Sequence, residues 1–102
     1  MSAKYHVYRG QTALRIKATC GQDITDAQAK QIKYIKPDGT TGAWNGEVED
    51  AETGAIYYDI KEETEMDPIG TMRCWDYIKF KDGRDANGDT FEIDIHESGT
   101  VI

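Results

Sequence analysis

Apolar and polar residues alternate along several short stretches of the chain, a period of two that is typical of half-buried β-strands. The stretches lie at residues 12–19, 31–36, 56–60 and 91–96, and a weaker one near residue 5 predicts an earlier edge strand. The apolar positions are Tyr5 and Val7, then Leu14, Ile16 and Ala18, then Ile32 and Tyr34, then Ile56, Tyr58 and Ile60, and finally Phe91, Ile93 and Ile95. Each set is predicted to share the core-facing side of its strand.

The stretch at residues 71–81 is rich in apolar groups on both sides. One side of this strand carries Met72, Cys74, Asp76, Ile78 and Phe80, and the other carries Arg73, Trp75 and Tyr77. A strand whose two faces are both covered is typical of the middle of a sheet. We therefore predict that this strand is central.

Turn residues separate the stretches. Pro37, Asp38 and Gly39 predict a hairpin bend, because Pro presets φ and the Asp-Gly pair tolerates the positive φ angles of tight turns. The strand that follows, at residues 44–48, is interrupted by Gly46, which predicts a bulge. Together these signals indicate antiparallel pairing.

Three further segments lack a strand pattern. Residues 61–70 are polar and acidic and predict a long crossing loop, and residues 82–89 predict a turn. Residues 21–30 predict a single helical turn, capped by Thr25 or Asp26.

Strands at this spacing, with one long crossing loop, favour a sandwich of two antiparallel sheets over a meander. We predict an all-β fold of about seven strands. The 102 residues suffice for one compact core, and the chain shows no linker, repeat or low-complexity tract. Residues 1–102 are therefore predicted to form a single domain.

The charge balance disfavours two classes of partner. Lys and Arg number 12 and Asp and Glu number 19, a net charge of −7 that repels phosphate backbones and anionic lipids. The N-terminal residues lack the apolar centre of a secretory signal, and no apolar run is long enough to span a bilayer. We predict no nucleic acid partner, no membrane, and folding in a cytosol.

The residue types offer little for nucleophilic catalysis. The only serines, Ser2 and Ser98, lie in terminal segments, where a nucleophile is hard to pre-organise. Cys74 falls in mid-strand among apolar residues, where a thiol stays protonated, and Cys20 has no basic residue beside it in sequence. A disulfide between them is open but disfavoured in a reducing cytosol. We predict no enzymatic activity and no catalytic residue.

Metal and cofactor sites also have weak support. His6 and His96 can meet across two edge strands, but two histidines without a cysteine or carboxylate at ligand spacing indicate surface residues rather than zinc. Asp85, Asn87 and Asp89 are spaced like the first ligands of a calcium loop, yet that loop's glycine and final glutamate are both replaced. We predict no metal and no cofactor.

Acidic residues cluster at 47–52 and at 62–67. A glycosidase needs two carboxylates facing each other across a cleft. The sequence indicates no cleft, so these clusters favour a solvated rim that keeps edge strands from aggregating.

Four aromatic residues are the candidate contact surface. If Met72 and Cys74 point inward, Trp75 and Tyr77 point to the other face, and Trp44 and Tyr57 can join them there. An exposed aromatic patch predicts a protein or sugar contact. The alternative is that both faces of the central strand are covered within the molecule.

Four segments carry a resemblance to a known family. They are Lys-Gln-Ile-Lys-Tyr-Ile-Lys-Pro-Asp-Gly-Thr at 30–40, Glu-Thr-Gly-Ala-Ile-Tyr-Tyr at 52–58, Met-Asp-Pro-Ile-Gly-Thr-Met-Arg-Cys-Trp-Asp-Tyr at 66–77, and Asp-Gly-Arg at 82–84, before the closing strand. Their layout resembles small immunoglobulin-like structural proteins of tailed bacteriophages, and is similar to the N-terminal domain of the baseplate upper protein family. The resemblance covers about residues 10–96 and rests on turn and strand signatures.

The resemblance implies an immunoglobulin-like sandwich with a structural role in the virion. Its expected partners are other virion proteins of the tail, baseplate, neck or capsid, in several symmetric copies. The chain lacks the long helix and receptor-binding appendage of a full baseplate subunit, which suits a small accessory or capsid decoration protein equally well. The alternative function is a carbohydrate- or host-surface-binding module that uses the same aromatic residues.

Overall fold

The computed structural model describes residues 4–99, which form nine strands and one short 3-10 helix. The strands are β1 (Lys4–Tyr8), β2 (Arg15–Thr19), β3 (Ala27–Ile35), β4 (Thr41–Asn45), β5 (Glu47–Asp50), β6 (Ala55–Asp59), β7 (Gly70–Phe80), β8 (Asp85–Asn87) and β9 (Phe91–His96). The 3-10 helix is Glu63–Met66, between β6 and β7. Across the described range, no helix has the length and apolar character needed to cross a membrane.

The strands form two sheets of a sandwich. Sheet A has the order β1-β9-β7-β3-β4, with β8 also pairing with β7, and sheet B has the order β2-β6-β5. Every pair is antiparallel except β1, which runs parallel to β9. The predicted all-β, immunoglobulin-like sandwich is therefore confirmed, with nine strands within residues 4–99 instead of about seven.

The core lies between the inner faces of the two sheets. β7 pairs with β3 on one side and with β8 and β9 on the other, so its predicted central position is confirmed. The residues predicted to share one side of this strand face inward and are all buried: Met72, Cys74, Asp76, Ile78 and Phe80. Sheet B contributes Ile16, Ala18 and Ile56 to the same cluster. Burying one such isoleucine stabilises the fold by roughly 1.5–3 kcal/mol.

Gly46 lies where the chain passes from one sheet to the other. Residues 44–48 were predicted to form one strand with a bulge, but Trp44 ends up in β4 of sheet A and Val48 in β5 of sheet B. The Gly46 N–H donates to the carbonyl of Lys30 at 2.8 Å. A Cβ at Gly46 would stand 3.0 Å from Ile56 Cδ1, a close approach that favours glycine. The bulge prediction is wrong, because the chain changes sheets here.

The segment after β6 crosses from sheet B to sheet A, as predicted. Met66, the last residue of the 3-10 helix, is fully buried. Its carbonyl accepts a hydrogen bond from Gly10 N at 3.1 Å, and the carbonyl of Thr64 accepts one from Lys36 Nζ at 2.9 Å. The crossing loop is thereby tied to two other loops at one end of the sandwich.

The predicted hairpin turn is confirmed, but the predicted helical turn is wrong. Gly39 has φ +88° and its N–H bonds the carbonyl of Lys36 at 2.9 Å. Between β2 and β3, the Asp23 carboxylate instead accepts the N–H of Thr25 at 2.8 Å, which forms an Asx turn in place of a helix cap. β3 already begins at Ala27, so no room remains for the helical turn.

Candidate functional site

The outer face of sheet A, which points away from sheet B, brings together residues from four strands. The register places Lys33 opposite Trp75, Thr71 opposite Asp94, and Asp94 opposite His6. Directly opposed residues share one face of a sheet. Two groups stand out there. We call Lys33, Arg73, Trp75 and Tyr77 the aromatic strip, and His6, Asp94 and His96 the histidine–aspartate triangle.

The aromatic strip follows β7 and its neighbour β3. Trp75 and Tyr77 are half-buried, and Arg73 is exposed. The ammonium of Lys33 lies 4.1 Å from the centre of the Tyr77 ring, and the Tyr77 hydroxyl donates to the Asp85 carboxylate at 3.4 Å. A cation–π contact at such an exposed position contributes about 0.5–1 kcal/mol. The strip thus combines two aromatic rings with two cations, and the carboxylates of Glu92, opposite Arg73, and of Asp85 lie beside it.

Trp44 does not join that surface. It lies on the inner side of β4 and is only 5% exposed. Its ring stacks on Tyr58 of sheet B at 5.2 Å with an interplanar angle of 2°, and it contacts Tyr34 at 4.7 Å. The expectation that Trp44 lies on an exposed face with Trp75 and Tyr77 is corrected: Trp44 connects the two sheets. Its inward position follows from its register, which places it opposite the buried Ile32 on β3.

Tyr57 lies on a third surface, the outer face of sheet B. The guanidinium of Arg15 covers its ring at 4.0 Å, and its hydroxyl donates to Glu47 Oε2 at 2.9 Å. This hydrogen bond raises the pKa of the Tyr57 hydroxyl. The four predicted contact residues are therefore divided, with Trp75 and Tyr77 together and the other two elsewhere.

The histidine–aspartate triangle lies where β1 runs parallel to β9. His6 Nδ1 is 3.5 Å from His96 Nε2 and 3.9 Å from Asp94 Oδ2. The two imidazole rings are stacked at 5.7 Å between centres, with an interplanar angle of 26°. One ligand atom from each residue lies within 4.8 Å of the others, which makes the triangle a group that can hold a metal ion.

The sequence indicated the pair His6 and His96 but missed their carboxylate. Asp94 stands two residues before His96, so the period of two places both on one face of β9. The Thr71 hydroxyl on β7 donates to Asp94 Oδ1 at 2.9 Å. An Asp-X-His sequence on a strand was the signal available, but only the parallel pairing of β1 with β9 adds His6.

Asp76 is a buried carboxyl in the middle of β7. It is 1% exposed, and neither carboxylate oxygen has a hydrogen-bond partner among the described residues. Burial raises the pKa of the Asp76 carboxyl, and the nearby Asp89 raises it further. The backbone N–H groups of Asp76 and Gly88 oppose this shift without overcoming it. The carboxyl packs against Gly88, whose N–H donates to the Asp76 main-chain carbonyl at 3.1 Å.

The remaining candidate groups take ordinary structural positions. Asp85 and Asn87 lie in β8, paired with β7, so they do not form the loop that calcium ligands need. The two cysteines are free, and burial raises the pKa of the Cys74 thiol to about 12. Of the acidic clusters, β5 is exposed along its whole length, whereas Glu65 is half-buried.

Comparisons with known proteins bear on the fold. No protein-family model matches the chain, and no curated protein matches it. Among solved structures, the crystal structure of CopC from Methylosinus trichosporium OB3b is similar, with a TM-score of 0.62 and 16% sequence identity. The match covers 99% of this chain and 91% of that chain. At this identity the likeness shows a shared β-sandwich fold alone.

Proposed function

We propose that this protein is a non-enzymatic structural protein of a tailed-bacteriophage virion, an immunoglobulin-like module that docks on other virion subunits through the aromatic strip. The observation that carries the proposal is the placement of Trp75 and Tyr77, half-buried and adjacent to Lys33 and Arg73 on the outer face of sheet A. Trp, Tyr and Arg are the residue types that dominate binding energy at protein contacts. The sequence resemblance supplies the phage setting.

The charge distribution favours several copies in the assembly. Lys33 and Arg73 in the aromatic strip are cations, whereas β5 at the edge of sheet B carries Glu47, Glu49 and Asp50, all exposed. Side chains of opposite charge on one molecule can pair between copies. Head-to-tail contacts of this kind generate rings when the rotation closes. The location we propose is thus a symmetric part of the virion: tail, baseplate, neck or capsid surface.

A carbohydrate- or host-surface-binding module is the alternative that uses the same residues. Sugar rings stack on open aromatic faces. The face of Tyr77 is covered by Lys33, and that of Tyr57 by Arg15, at 4.1 and 4.0 Å. A sugar would have to displace these cations, so the arrangement favours docking to protein over stacking on glycans.

Electron microscopy of intact phage particles with an antibody against this protein tests the proposal. The expected result is label at one symmetric position, on the head for a decoration protein or on the tail and its tip for a baseplate component. Particles without any label would overturn the virion proposal. Binding of the isolated protein to purified bacterial surface glycans, together with unlabelled particles, would support the alternative.

Variants then test which surface docks. Trp75→Ala, checked for native circular dichroism, is expected to lower incorporation into particles at least tenfold when supplied in place of the wild-type protein. Tyr57→Ala is the matched control, because it removes an aromatic side chain from the outer face of the other sheet. Equal incorporation of both variants would exclude the aromatic strip as the docking surface.

A further inference from the structure

We propose that the histidine–aspartate triangle binds one divalent transition-metal ion, with Zn²⁺ as the best match. The ligand atoms are His6 Nδ1, His96 Nε2 and Asp94 Oδ2. Imidazole nitrogen and carboxylate oxygen together suit Zn²⁺ and its neighbours in the first transition row better than Mg²⁺ or Ca²⁺, which take oxygen ligands. The inference stands independently of the virion role proposed above.

The two distances from His6 Nδ1 are close to those of a metal centre, and one ligand atom from each of the three residues lies within 4.8 Å of the others. Bonds of about 2.0–2.2 Å at tetrahedral angles place the ligand atoms of a zinc ion about 3.4 Å apart. His6 Nδ1 is 3.5 Å from His96 Nε2 and 3.9 Å from Asp94 Oδ2. Small rotations of exposed or half-buried side chains suffice to close the remaining gap.

The sheet orients the ligands before any ion binds. Asp94 and His96 project from the same face of β9, and His6 lies directly opposite Asp94 on β1. The hydrogen bond from the Thr71 hydroxyl holds Asp94 Oδ1 at 2.9 Å, while Oδ2 is the oxygen near His6. Such a partner behind a metal-binding carboxylate tunes metal affinity, and its loss typically weakens binding about 10–100-fold.

A bound ion has a structural consequence for the edge of sheet A. His6 and His96 are 90 residues apart in the chain, and among the described strands β1 lies at the edge of sheet A, beside β9. An ion coordinated by both strands links the N-terminal strand to the last strand. Because a ligand of the native state stabilises it by mass action, Zn²⁺ is expected to raise the melting temperature.

Isothermal titration calorimetry of the untagged protein with ZnCl₂ tests the proposal. The chain contains two histidines, both in the triangle, so every histidine-dependent signal reports on this site. We expect one Zn²⁺ per chain, at least tenfold weaker binding in His6→Gln and in Asp94→Asn, and about tenfold weaker binding in Thr71→Val. His6→Gln changes an exposed side chain, so this variant is expected to keep the native fold.

Two control variants identify adventitious binding. Cys20→Ser removes the half-buried thiol, and Asp82→Asn removes an exposed carboxylate in the turn between β7 and β8. Both are expected to bind Zn²⁺ like the wild type. Absence of binding in the wild type, or binding that His6→Gln leaves unchanged, would overturn the proposal. Histidine imidazole resonances that do not shift on addition of ZnCl₂ would overturn it as well.

Discussion

Two carboxyl groups that are withdrawn from solvent, Glu65 in the crossing loop and Asp76 in β7, have opposite surroundings. Glu65 accepts hydrogen bonds from the Tyr58 hydroxyl at 2.6 Å and from the backbone N–H groups of Lys61 and Glu62 at 2.7 and 3.1 Å. Asp76 has no hydrogen-bond partner among the residues described. Burial acts on both, and only one of them has donors that compensate it.

The hydrogen bonds decide the direction of each pKa shift. Burial alone would raise the pKa of Glu65, but its three hydrogen bonds outweigh burial and lower it below the ordinary 4.5. Burial raises the pKa of Asp76 above 3.8, with Asp89 adding to the effect. Burial raises the pKa of the Tyr58 hydroxyl to about 12, and its hydrogen bond to Glu65 adds to the effect.

The two groups therefore give stability opposite pH dependences. Glu65 binds protons less readily when folded, so its contribution is present above pH 4.5 and is lost as pH falls through the lowered pKa. Asp76 binds protons more readily when folded, so its contribution is present below pH 3.8 and is lost as pH rises through the raised pKa. One sandwich thus contains a carboxyl that stabilises it at neutral pH and one that does not.

The largest expected effect comes from adding a side chain at Gly88, which packs against the Asp76 carboxyl. A Cβ at Gly88 would overlap the Asp76 carboxylate, so Gly88→Ala is expected to lower the free energy of unfolding by about 2–3 kcal/mol. Urea denaturation measures it. The double variant with Asp76→Ala is expected to lose less than the sum of the two single changes. Gly83→Ala is the control: its cost comes from a positive φ of +92°, and Asp76→Ala should not reduce that cost.

Removing the well-partnered carboxylate is expected to have the next largest effect. Glu65→Ala deletes the acceptor of three hydrogen bonds, and we expect a loss of about 2 kcal/mol at neutral pH. Glu63→Ala, an exposed position in the same 3-10 helix, is expected to stay within about 0.5 kcal/mol of wild type. Thermal unfolding from pH 3 to pH 7 compares the two. Equal losses would contradict the importance of the Glu65 hydrogen bonds.

The smallest effect has the opposite sign. Asp76→Asn removes a buried charge while keeping a polar group of similar shape, and we expect a gain of about 1 kcal/mol at neutral pH. The decline of stability as pH rises from 3.8 should disappear in this variant. Asp89→Asn, which removes only the neighbouring charge, should give a smaller change in the same direction. A destabilised Asp76→Asn protein would mean that the carboxylate has a stabilising partner.

The strand and turn predictions succeeded where local chemistry decides. The inward face of β7 and the Pro37–Gly39 turn follow from alternation and from backbone preferences, both readable along the chain. The prediction of a helical turn at Thr25 failed because the Asp23 carboxylate accepts the N–H of Thr25 and forms an Asx turn there. The prediction of a bulge at Gly46 failed because glycine permits a close approach of the backbone both in a bulge and where a chain leaves its sheet. The residue alone does not distinguish the two cases.

The candidate sites show the same division. Alternation alone predicts that Trp75 and Tyr77 lie on the same face of β7. It also predicts that Asp94 and His96 lie on the same face of β9. Whether Trp44 faces solvent depended on its register opposite Ile32 and on its packing against Tyr58 of the other sheet. The approach of His6 depended on the parallel pairing of β1 with β9. Both are long-range contacts, whose formation depends on the packing of the whole chain.

By itself, the sequence determined the all-β class, the Pro37–Gly39 turn and which residues of each strand share a face, because these depend on neighbours within a few positions. The turn predicted at residues 82–89 instead contains strand β8, which pairs with β7. The tertiary structure alone decided which strands pair, which aromatic residues stay accessible, and that Asp76 lies buried with no side-chain hydrogen bond to its carboxylate from residues 4–99. Those outcomes depend on groups far apart in sequence that meet only when two sheets pack. The histidine–aspartate triangle depends on both. The period of two along β9 places Asp94 and His96 on one face, and the pairing of β1 with β9 brings His6 beside them.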